Sequence, residues 1–68
     1  MIKYLKLNSR EEFIFNNADY FTLWSKKNKF QFSNLTEAET YIAKQGLSNK
    51  FIVYAVMDNS DASIGYIN

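Results

Sequence analysis

The chain has 68 residues, no Cys, no His, no Pro and a net charge of +1. Disulfides are therefore excluded, the usual zinc and copper centres lose their main ligands, and neither a thiol nucleophile nor an imidazole base is available. A balance this close to neutral does not by itself demand a nucleic acid or membrane partner.

Residues 1–68 make one domain. A domain of this size buries only about 60% of the surface its unfolded chain exposes. Without disulfides or metal, self-association is the remaining way to add buried area, so a homodimer is expected. Met1-Ile2-Lys3-Tyr4 lacks the apolar core of a secretory signal, and no apolar run approaches the roughly 20 residues of a membrane span. A cytoplasmic location without membrane contact is expected, and Asn34-Leu35-Thr36 is read as a chance glycosylation triplet.

In chain order, Ile2–Leu7 alternates as a strand, with Ile2, Tyr4 and Lys6 on one face. Ser9-Arg10-Glu11-Glu12 has capping-box spacing, Ser9 capping and Glu12 reaching back. It opens a short helix with Phe13, Ile14, Asn17 and Ala18 on one side, although Phe13-Ile14-Phe15 reads equally as strand. Tyr20–Ser25 and Phe30–Ser33 form an aromatic hairpin around Lys26-Lys27-Asn28-Lys29, with Asn28 suited to a left-handed turn position. An even loop collects Phe21, Leu23, Phe30 and Phe32 on a core face and turns Tyr20, Thr22 and Trp24 outward.

Thr36-Glu37-Ala38-Glu39 is a second capping box. It starts a helix over 36–46 with Ala38, Tyr41, Ile42 and Gln45 at helical spacing, Gly46 as a left-handed stop and Leu47 folding back on Ile42. Phe51–Met57 follows as an unbroken apolar strand. Phe51, Val53, Ala55 and Met57 line one face, and Ile52, Tyr54 and Val56 the other. Asp58–Asp61 is a turn, and Ala62–Ile67 a last strand.

The resulting class is α+β, a small antiparallel-rich sheet of four to five strands with one or two helices on one face, in the order β-(α)-β-β-α-β-β. If the first helix forms, the first six elements resemble a miniature ferredoxin-like split β-α-β pattern. A run apolar on both faces normally lies under two covering layers, and a chain this short has one layer to give. The Ile52, Tyr54 and Val56 face is thus expected to meet a partner, unless residues 9–18 pack there.

No catalytic residue, metal ligand set or cofactor site is expected. Glu11/Glu12 and Glu37/Glu39 are explained by helix starts and Asp58/Asp61 by a turn. Two glycines cannot build a phosphate-cradling loop. The partner-binding residues expected are Tyr20, Trp24, Lys26, Lys27, Lys29, Ile52, Tyr54 and Val56. Residues 1–34 carry +3 and residues 35–68 carry −2, a sign difference that suits head-to-tail packing of subunits but is of the size ordinary solvated surface shows.

Ile, Lys, Asn, Phe and Tyr, the products of AT-rich codons, fill 32 positions. This resembles the style of small open reading frames in bacteriophages and mobile elements. The function expected is a non-enzymatic protein-binding or inhibitor-type protein acting by stoichiometric contact with a host protein. The alternative is a single-stranded nucleic-acid binder using the aromatic hairpin and its lysines. Phe30-Gln31-Phe32 resembles, over three residues, the aromatic-x-aromatic motif on the third strand of the RNA-recognition fold. A nucleotide-sequestering oligomer is a third reading.

Overall fold

The computed structural model describes residues 2–45 and 51–67 of the chain. Strands β1 (Ile2–Tyr4), β2 (Tyr20–Ser25), β3 (Asn28–Phe32), β4 (Ile52–Met57) and β5 (Ser60–Ile67) are joined through helices α1 (Ser9–Asn16) and α2 (Leu35–Gln45). They form one sheet in the spatial order β1-β5-β4-β2-β3, with every neighbouring pair antiparallel. The fold is α+β, as the order of elements predicts.

The ferredoxin-like expectation needs correcting. In that arrangement the first strand lies inside the sheet, whereas β1 here is an edge strand paired with β5. Only β3-α2-β4 is a split unit: β3 and β4 run parallel with β2 between them.

Both helices begin earlier than expected. Asn8, not Ser9, caps α1: its side chain accepts from Glu11 N–H at 2.8 Å, and the Glu11 carboxylate accepts from Asn8 N–H at 2.9 Å. Asn34, not Thr36, caps α2, accepting from Glu37 N–H at 2.9 Å. Asn ranks with Ser and above Thr as a cap, and each Asn has its own Glu three residues on. Ile14 is buried while Phe13, expected on the same side, is 59% exposed. Gly46 and Leu47 lie outside the described residues.

Two-residue turns close both hairpins. Ser25 pairs with Asn28, so the loop is Lys26-Lys27, and the left-handed residue is Lys26 (φ 55°) rather than Asn28. Met57 pairs with Ser60 around Asp58 and Asn59 (φ 46° and 65°), so Ser60 and Asp61 already belong to β5. Left-handed φ at both central residues matches the right-handed twist of the flanking strands. Leu5 continues the β1–β5 ladder by one bond, its N–H donating to Ile64 O at 3.0 Å.

One core lies between the helices and one sheet face. Ile14 of α1 and Ala38 and Ile42 of α2 pack with Phe21, Leu23, Phe51, Val53, Ala55, Ala62 and Ile64. The expected core alternation of β4 holds, and in the hairpin Leu23 pairs with Phe30 and Phe21 with Phe32. Residues 9–18 therefore do not roof the far side of the sheet. Both helices occupy the same side.

Candidate functional site: the open sheet face

Pairing across the sheet arranges the uncovered face in three rows. The upper row crosses all five strands as Lys3, Tyr66, Ile52, Trp24 and Lys29. The middle row is Ser63, Tyr54, Thr22 and Gln31, and the lower row Asp61, Val56 and Tyr20. Each row follows from strand period two: Trp24 points away from the core because Leu23 and Ser25 point into it.

The upper row holds the apolar surface. Trp24, Ile52 and Tyr66 are 40%, 42% and 36% exposed, and they are consecutive in that row. Exposed apolar side chains scattered singly are ordinary, but a contiguous set marks a contact surface. The Lys29 ammonium lies 5.1 Å from the Trp24 ring centroid, a cation–π contact that also restrains the indole. The Tyr54 ring meets Trp24 edge-on, with centroids 6.5 Å apart at 78°. Between the upper and lower rows, Tyr20, Thr22, Trp24 and Val56 line a shallow depression of about 240 Å³, rimmed by Lys29 and Asp61.

Of the residues the sequence singles out, Tyr20, Trp24, Lys29, Ile52, Tyr54 and Val56 come together here. Val56 faces outward but is 8% exposed, shielded by its neighbours, so it is the floor of the face rather than an anchor. Lys26 and Lys27 stand apart in the hairpin turn, and Lys26 borders the helix side with Phe30, Tyr41 and Phe51. Phe30 and Phe32 are not nucleobase platforms. They face α2, where Tyr41 packs on both rings at 5.1 and 5.4 Å between centroids.

Sequence reasoning missed Lys3 and Tyr66. Lys3 reaches the row only through the β1–β5 pairing, which joins residues from opposite ends of the chain, and Tyr66 through the β4–β5 ladder, where the register shift between Val53 and Tyr54 sets it opposite Ile52. No local pattern announces such a contact.

The face offers stacking, apolar contact and a few hydrogen-bonding groups. Among the described residues, no group of three or more Asp or Glu side chains is placed to hold a metal ion. No helix among them is long and apolar enough to cross a membrane. No protein-family model, curated protein or solved structure matches the chain.

Proposed function

We propose that this chain is a small non-enzymatic binding protein that acts by stoichiometric contact with a protein surface through the open face of its sheet. The observation that carries this reading is the unbroken Tyr66-Ile52-Trp24 row, exposed on the side where neither helix packs. Trp and Tyr are the usual anchors of protein interfaces, and a central apolar strip with charged ends matches their core-and-rim anatomy.

Single-stranded nucleic acid is the weaker reading. The motif that favoured it, Phe30-Gln31-Phe32, turns both rings to the core. Among the described residues of the face, Lys3 and Lys29 then remain as cations, against Asp61.

The test is affinity capture on immobilised full-length chain from nuclease-treated extract, wild type beside Ile52→Asp and Trp24→Ala. A protein held at fixed ratio by wild type and released by both variants supports the reading. Retention indifferent to both substitutions defeats it. So does binding of a single-stranded oligonucleotide that fades steeply with salt while no protein is held.

A further inference from the structure

The open face changes sign along its strands. Lys3 and Lys29 close the two ends of the upper row, and the Lys26-Lys27 turn lies just beyond it. At the other end, Asp61 sits in the lower row and Asp58 in the β4–β5 turn. Asp19 joins them, its carboxylate accepting from Asp58 N–H at 3.2 Å. Four residues of strand, about 13 Å, separate the two rows.

We propose that the open face is covered by a second copy of this chain, packed face to face about a two-fold axis running across the strands. The inference rests on the open face being a contact surface and adds what covers it. Two isologous arrangements lay this face on itself. An axis along the strands sets each row on its own reverse, so Lys3 of one copy meets Lys29 of the other at both ends. An axis across the strands sets the upper row on the lower row instead. Tyr20 of the second copy then lies over Trp24, Val56 over Ile52, and Tyr54 meets its own counterpart. Asp61 of the second copy arrives over Tyr66, offset sideways from Lys3 by one strand spacing of about 4.8 Å across a gap of about 10 Å between the sheets, which the two side chains share.

Aligned sheets pack within about 30° of parallel, which preserves the central pairings and moves the outer ones by at most about one strand spacing. The charge pattern is therefore self-complementary about one axis and self-repelling about the other. That is the property an isologous interface requires and a surface for an unrelated partner does not. Between outer strands and outer rows the face spans about 19 by 13 Å, well under the roughly 800 Å² per partner of a standard interface. The dimer is accordingly weak and dissociates on dilution.

Sedimentation equilibrium of the full chain over a wide concentration range at low salt tests this. A reversible dimer is expected. Asp61→Lys and Lys3→Asp should each weaken it by about fivefold or more through like-charge contact, and the double variant should recover most of the loss. Both positions are exposed, so folding is not at stake. Ile52→Asp should abolish association. A monomer at every concentration overturns the self-association, leaving the open face to stand or fall by its own capture experiment. A dimer untouched by Ile52→Asp overturns the placement of the second copy on this face, which then again answers only to its capture experiment, and failure of the double charge reversal to rescue overturns the axis.

Discussion

A methyl group on Gly65 would lie 3.0 Å from Cγ2 of Ile2, closer than side chains ordinarily approach. It would also stand 3.2 Å from Tyr4 Cδ1 and 3.3 Å from the Lys3 carbonyl oxygen. The crowding follows from a register shift between Val53 and Tyr54, which leaves Ile64 as an extra residue and turns Gly65 under β1. Gly65→Ala is expected to cost about 1–3 kcal/mol by overpacking, falling first on β1. Hydrogen exchange at the Leu5 amide, which donates to Ile64 O, should accelerate more than exchange in β2. Equal acceleration everywhere would place the damage elsewhere.

The hairpin turns hold three side-chain-bearing residues in left-handed backbone: Lys26, Asp58 and Asn59. Lys has no local hydrogen bond to favour that region, whereas Asp and Asn tolerate it. Lys26→Gly should therefore raise stability by up to about 1 kcal/mol, and Asn59→Gly by a few tenths, since Asn already suits the position. Urea midpoints of the two variants check the order. A Lys26→Gly midpoint below wild type would show that the greater freedom of the unfolded chain outweighs the relieved strain.

The helix caps give opposite expectations from sequence and from structure. Asn34→Ala should cost about 1 kcal/mol, because it strips the acceptor from Glu37 N–H. Thr36→Ala should change stability by a few tenths at most, since Thr36 lies inside α2. Thermal melts of the pair decide it. If Thr36→Ala is the more damaging, the helix starts where its sequence spacing alone suggests.

The faces of the strands were legible in the sequence because they depend only on parity. The hairpin loop is the two residues Lys26-Lys27 rather than the four-residue stretch Lys26–Lys29, yet an even slip returns every side chain to the same side. Helix faces had no such protection. Neighbouring residues of α1 stand about 100° apart, so with Ile14 at the core Phe13 is left outside it. Strand order was illegible for a different reason: an all-antiparallel sheet gives each strand several acceptable neighbours, so the edge placement of β1, and with it Lys3, had no local signal, while Tyr66 turned on the β5 register shift that no sequence pattern marks.

Tyr4 ties β1 to α2, its hydroxyl donating to the Glu39 carboxylate. Burial first, then that hydrogen bond and the carboxylate charge, hold the phenol well above its usual range. The folded chain thus disfavours ionised Tyr4. The contribution is whole below the unfolded phenol pKa of about 10 and is lost as pH rises beyond it. Wild type should lose stability more steeply than Tyr4→Phe above that pH, with the two curves parallel at neutral pH. Parallel curves throughout would mean that the hydroxyl is free of Glu39 in solution.

Leu23 and Trp24 are chain neighbours with opposite duties. Leu23 is 0% exposed in the core, and Trp24 is 40% exposed on the open face. Leu23→Ala leaves a cavity among Phe21, Val53 and Ile42 and should cost about 2–5 kcal/mol. Trp24→Ala gives up part of its contact with Tyr54 and Lys29; measured where the chain is monomeric, that should cost about 1 kcal/mol or less. At higher concentration the ranking should change, with Trp24→Ala losing the additional stability that association supplies. Denaturant melts at two protein concentrations read both effects. If Trp24→Ala is as damaging as Leu23→Ala in the monomer, the indole is part of the folding core, and the row it anchors exists to hold the sheet together rather than to meet a partner.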